Sequence, residues 1–135
     1  TTGREVFGKS FVEKFIEKAL LKGLSKEDII ATLTLFTAES IAYSYEKFIL
    51  PRTVVKEVYV SGGGVKNKTL MRFLEKRLRE LGVEVKRVEE LGIDPKFKEA
   101  LGMAILAHET LNGAPNNVPG ATGAQKLVVM GEIAL

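Results

Sequence analysis

The 135-residue chain has no cysteine and no tryptophan, a single histidine, and only two aspartates, Asp28 and Asp94. Without cysteine there can be no disulfides and no thiolate metal sites. One imidazole, that of His108, rules out a histidine-rich metal centre. Both aspartates stand at helix starts, where capping accounts for them. No apolar run approaches the roughly 20 residues needed to cross a bilayer, and no membrane contact is expected. A secretory signal is not visible, and Thr1 is not a natural start, which leaves room for chain upstream. Charge of one sign is also scarce in excess: 20 Lys and Arg against 17 Asp and Glu leave a net charge of +3. Glu13 and Lys14 with Glu17 and Lys18 read as solvated helix surface rather than a phosphate-binding stripe, so nucleic acid is not the expected partner.

What is present is alternating helical and strand-like segments. Residues 1–9 have no clear periodicity and read as a loop. A helix is predicted over about 10–22, with Val12, Phe15, Ile16, Ala19 and Leu20 on one stripe and Gly23 as its stop. Ser25, with Asp28 three residues on, forms a capping-box signature for a long helix over about 26–49. Ile29, Leu33, Phe36, Ser40, Ile41, Ser44 and Phe48 are expected on one side of it, and Pro51 ends it. "VVKEVYV", 54–60, reads as a buried strand. A helix follows over about 66–81, burying Leu70, Met71, Leu74, Leu78 and Leu81, and Gly82 closes it. "VEVKRV", 83–88, alternates like a half-exposed strand. Asp94-Pro95 is expected to open a helix running to about 111, which buries Phe97, Leu101, Ala104, Ile105, His108 and Leu111. Residues 114–125 read as loop, with Asn116-Asn117 as turn chemistry, and "LVVMGEIAL" as a final strand or two short ones. The order implies an α/β layer structure with a parallel, right-handed β-α-β unit at 54–88. Two or three strands make a thin sheet for a strand apolar along its length, which normally has neighbours on both sides.

Gly62, Gly63 and Gly64 lie between the strand and the helix that follows. Backbone N–H groups and the helix dipole favour an anion at such a junction, and glycine lets a phosphate or ring lie against the main chain. The pattern is neither GxGxxG nor GxxxxGK[ST], and a tight turn with glycine used for packing explains it equally well. Asn67 is read two ways as well: a ribose or base contact, or the N-cap of helix 68–81.

"VYVSGGGVKNKTLM", 58–71, resembles the adenosine motif of the sugar-kinase, Hsp70 and actin superfamily, in the form found in anhydro-N-acetylmuramic acid kinases. "TTGREVF" resembles that family's K-S-T-G-R-E-x-F segment. The stretch 91–133 resembles its C-terminal run, in which a G-I-x-P-D-x-x-E-A helix leads to G-x-P-x-N-x-P-x-V-T-G-A and a final V-x-G-x-I. Lys96, the Pro-Asn-Asn-Val-Pro run and Gly120-Ala121 depart from it. The resemblance implies the C-terminal part of the second, ribonuclease-H-like lobe of an actin-like ATPase, a single incomplete domain over 1–135. It also implies a bacterial, cytoplasmic kinase that uses ATP and Mg²⁺ on 1,6-anhydro-N-acetylmuramic acid in peptidoglycan recycling. The phosphate loop, most of the sugar pocket, the catalytic aspartate and most Mg²⁺ contacts would lie upstream, so the chain alone is expected to be inactive. Gly62, Gly63, Gly64 and Asn67 would meet the nucleotide, and Arg4 and Glu5 would line the interlobe cleft or else form a surface ion pair. An open sheet edge is expected to bind the N-terminal remainder or a second copy. The alternatives are a non-catalytic interaction module and a lobe of another sugar kinase of the superfamily.

Overall fold

The computed structural model describes Gly3 and residues 5–133. It divides into two compact units, residues 1–86 and 87–135, with the boundary inside a strand. In the first unit α1 (Lys9–Leu21) is followed by α2 (Lys26–Ser44). The expected capping box is present at α2: the Asp28 N–H donates to Ser25 Oγ at 3.1 Å, and the Ser25 N–H reaches back to Asp28 Oδ2. The helical path continues to Ile49 as predicted, but Tyr45–Ile49 is a π-turn in which the Leu50 N–H reaches the Tyr45 carbonyl.

β1 (Glu57–Val60) and β2 (Glu84–Arg87) form a small parallel two-stranded sheet, linked by α3 (Lys68–Glu80). The parallel pairing of the β-α-β unit is therefore as expected. The strand is shorter than 54–60 and is not buried: Val54 is 84% exposed, and along β1 only Val58 and Val60 turn towards the core. Among the described residues β1 has one neighbouring strand, β2.

The core of this unit is Ala38 and Ala42 of α2, Leu74 and Leu78 of α3, and Val83, with Tyr45, Val58, Val60 and Val85 packed around them. The stripe expected on α3 is the one that is buried. On α2 it is only in part: Ile29 is buried and Leu33 half-buried, but Phe36, Ile41 and Phe48 are exposed, and the face against α3 carries the two alanines instead. Small side chains four residues apart let α3 approach closely, which bulky ones would prevent. Arg77 of α3 pins the same interface, reaching Glu39 at 3.0 Å, Glu46 at 3.2 Å and Glu80 at 3.2 Å. These carboxylates, Glu39 above all, push its guanidinium pKa up.

In the second unit a short 3₁₀ turn, Val88–Leu91, leads to α4 (Lys98–Leu111) and α5 (Pro119–Thr122). Asp94 does cap, but it caps a turn: its Oδ1 takes the Lys96 N–H at 2.9 Å, and the helix begins three residues later than Pro95. The predicted apolar stripe of α4 is also corrected. Phe97, Leu101, Ile105 and Leu111 are exposed, as is His108, whose side chain is 73% exposed. The partly covered face, Gly102, Leu106, Glu109 and Thr110, lies one residue round the helix, about 100° away. A short helix, α5, interrupts the predicted 114–125 loop.

The predicted final strand pairs with no strand among the described residues. Instead, side chains hold residues 126–130 extended. Asn117, only 8% exposed, accepts the Val128 N–H at 2.8 Å and donates to the Lys126 carbonyl at 2.9 Å. Asn116 accepts the Met130 N–H at 2.6 Å, and its own N–H donates to the Val128 carbonyl at 3.2 Å. The Thr110 hydroxyl lies 2.6 Å from the Met130 carbonyl and also receives the Asn116 amide.

Two outcomes follow from this packing. Leu78 is fully buried, so Leu78→Ala should cost about 2–5 kcal/mol in denaturant unfolding; a loss below about 1 kcal/mol would show that α2 and α3 do not depend on it. On the sheet's outer face Lys86 and the Tyr59 hydroxyl hold the Glu57 carboxyl below its usual range. That contribution is complete above the ordinary carboxylate value of roughly 4.3 and is lost as pH falls through the lowered folded value. Glu57→Gln should therefore flatten the acid limb of stability against pH, measured by thermal unfolding from pH 7 to pH 2; an unchanged limb would contradict it.

Candidate functional site

The glycine turn is built by backbone geometry that most residues avoid. After Val60 the chain passes through Ser61 to Gly62, which has φ +93° and ψ −177°. This conformation is open essentially only to glycine. Gly63–Lys66 then form a 3₁₀ turn, with the Val65 N–H on the Gly62 carbonyl and the Asn67 N–H on that of Gly64. Asn67 is extended and caps α3, its Oδ1 accepting the N–H groups of Thr69 and Leu70 at 3.1 Å each. Two amides that a helix start would offer an anion are thus already taken. The Asn67 Nδ2 has no partner among the described residues, so the same side chain caps with its oxygen and keeps its donors.

All three glycines are exposed. A Cβ placed on Gly62 or Gly63 would meet nothing within 4 Å, and one on Gly64 would touch Leu70 Cδ2 at 3.6 Å. The main chain here is bare. Lys66 and Lys68 flank it, both exposed.

Beside the turn lies an open groove of about 240 Å³ lined by Ile30, Leu33, Thr34 and Thr37 of α2 and by Asn67 and Leu70. Ligand pockets usually hold about 300–1,000 Å³, so this groove is one wall of a site rather than a whole one. Thr34 and Thr37 donate to the carbonyls of Ile30 and Leu33, at 2.8 and 3.0 Å, leaving hydroxyl lone pairs as acceptors. These α2 residues were missed in the sequence, although their spacing, 30, 33, 34 and 37, marks one helix face.

Gly62, Gly63, Gly64 and Asn67 are brought together in one turn. Glu5 is not joined to them: its carboxylate accepts the Gly3 N–H at 2.6 Å, and backbone N–H groups hold its pKa down. Arg4 lies outside the described residues. Among the described residues no cluster of three or more His, Asp or Glu side chains is arranged to hold a metal ion. No helix is long and apolar enough to cross a membrane.

The cap and the turn separate on substitution. Asn67→Ala should cost about 1 kcal/mol by loss of the cap. Gly62→Ala should cost about 1 kcal/mol from its positive φ alone. Gly63→Ala, with neither strain nor clash, should be more stable than the parent by roughly 0.5–1 kcal/mol. Denaturant unfolding of the three variants checks this order, and a Gly63 variant as unstable as the Gly62 one would refute it.

The family model for anhydro-N-acetylmuramic acid kinase matches residues 1–135. The anhydro-N-acetylmuramic acid kinase of Caldanaerobacter subterraneus subsp. tengcongensis is 48% identical over 135 residues, covering all of this chain and 34% of that protein. Those of Bacillus cereus and Bacillus thuringiensis are each 44% identical over 133 residues, 98% of this chain and 34% of theirs. The chain therefore spans about a third of the length of the curated relatives it matches.

Proposed function

The chain belongs to the anhydro-N-acetylmuramic acid kinase family, and from that premise we propose that it is the nucleotide-binding, C-terminal part of an ATP-dependent sugar kinase. The substrate is 1,6-anhydro-N-acetylmuramic acid and the product N-acetylmuramic acid 6-phosphate, in peptidoglycan recycling in the bacterial cytoplasm. Residues 1–135 are on this reading one incomplete domain, part of a ribonuclease-H-like lobe whose other strands come from the rest of the polypeptide.

One observation carries the reading. Of the three glycines only Gly62 has a backbone conformation that demands glycine, and no neighbour crowds Gly63. A missing Cβ that neither backbone nor packing requires is explained by a ligand lying against the main chain. ATP fits the residues present: adenosine against Gly62, Gly63 and Gly64, the base beside Leu33 and Leu70, and the Asn67 Nδ2 towards the ribose. Lys66 and Lys68 add positive charge where the phosphates leave. Mg²⁺ and the carboxylate that activates water belong to the remainder, which closes over the triphosphate and excludes bulk water.

Nucleotide titration of the purified chain and of the longer kinase, each with Gly63→Ala, tests this. The variant should weaken nucleotide binding about tenfold or more, ~1.4 kcal/mol, with no loss of stability. The chain alone should not phosphorylate the anhydro sugar. Equal affinity of variant and parent would remove the glycine turn from the site, and phosphorylation by the chain alone would overturn the division of labour.

A further inference from the structure

The segment 126–130, which ends at Gly131 with φ +108°, is paired along one edge only. Val128 and Met130 direct both their N–H and C=O groups at Asn116, Asn117 and Thr110, and the Lys126 carbonyl joins them. Alternate residues of an extended chain direct these groups to opposite edges. Leu127 and Val129 therefore face the other way, as does the Gly131 N–H across the planar peptide from the Met130 carbonyl, and these groups have no partner among the described residues. The side chains agree: Leu127, Val128, Val129 and Met130 are apolar on both faces of the segment and all exposed, a pattern that belongs to strands covered on both sides. Next to it, an apolar groove of about 470 Å³ runs between α4, at Met103, Ala107 and Leu111, and residues 130–133.

We infer that residues 127–131 are a template edge to which a β-strand from the rest of the kinase adds, its side chains seated in the neighbouring groove. This rests on the reading of the chain as part of a longer kinase. The occupant is argued from length: the chain spans 34% of its relatives, so about two thirds of such a polypeptide lies outside it. A strand in the same polypeptide meets the edge at an effective concentration of order mM, above that of a second copy at ordinary concentrations. Main-chain bonds would supply affinity and the groove selectivity, as in other strand additions.

Hydrogen–deuterium exchange tests it on the longer kinase and on the 135-residue chain. The amides of Leu127, Val129 and Gly131 should exchange roughly a hundredfold or more slower in the longer kinase than in the chain alone. Those of Val128 and Met130, held by the asparagines, should be protected in both. Val129→Pro removes one open-edge donor and should restore fast exchange at Leu127 and Gly131, while Val129→Ile should not; the Val128 and Met130 amides report whether the clamp survives. Equally fast exchange at the three open amides in both proteins overturns the inference. So does slow exchange in the chain alone that rises with its concentration, which would make a second copy the occupant. A phosphorylation assay on the longer kinase keeps the two ideas apart: activity with open amides defeats only the strand addition, and protected amides without activity defeat only the kinase reading.

Discussion

The spacing between α2 and α3 sets the geometry of everything near the glycine turn. Ala38 and Ala42 meet Leu74 and Leu78 with no solvent between them. The groove beside the turn has one wall on α2, from Ile30 to Thr37, and the other on α3, at Asn67 and Leu70. Its width is therefore fixed by two methyl groups further along the same helices. A larger side chain at either alanine would push α3 outwards and carry Asn67 with it, because close-packed interiors have little slack. Arg77 adds direction to this contact. Its three carboxylate partners come from α2, the π-turn and α3 itself, so the guanidinium's fixed fork favours one register of the two helices.

Local signals in the sequence were the reliable ones. The Ser25–Asp28 capping box, the Asn67 cap, the α3 stripe and Gly82 at the end of α3 each depend on residues within a few positions of one another, and each is in the structure. What failed depended on a partner. Periodicity identified the apolar residues of α2 and α4 but not which side another element would cover. On α2 the face with small residues won, because close approach of α3 outweighs the hydrophobicity of Phe36 or Ile41. On α4 the covered face is the one with Thr110, whose hydroxyl the terminal segment needs. The strand at 54–60 was overread for a related reason: β-branched composition reports fitness for burial, not the presence of neighbours.

Asn116 and Asn117 show a different limit. Their composition suggested turn chemistry, which is their common use. Here each amide offers a donor and an acceptor in the spacing of a peptide group, so two successive side chains stand in for a neighbouring strand. The terminal run is ordered without being part of a sheet. Nothing in the run's own residues distinguishes this from ordinary pairing; the signal lies in the polar pair some ten residues earlier, and it is legible only once the chain is folded back.

The glycine turn carries a cost that bears on its purpose. Gly62 needs its positive φ, but Gly63 and Gly64 have negative φ within a helical turn. Glycine there sacrifices roughly 0.5–1 kcal/mol per residue relative to alanine, or about 1–2 kcal/mol for the pair. Against a typical folding stability of about 5–15 kcal/mol, that is a substantial loss for a loop to carry without return. Packing does not return it, since a methyl group at Gly63 would meet open space and one at Gly64 would make an ordinary contact with Leu70. Within the described residues nothing offsets it; on the proposed reading the offset comes from a nucleotide that needs the main chain uncovered. On that proposal a flat ring with a polar sugar would rest on bare peptide between two lysines and a donor amide.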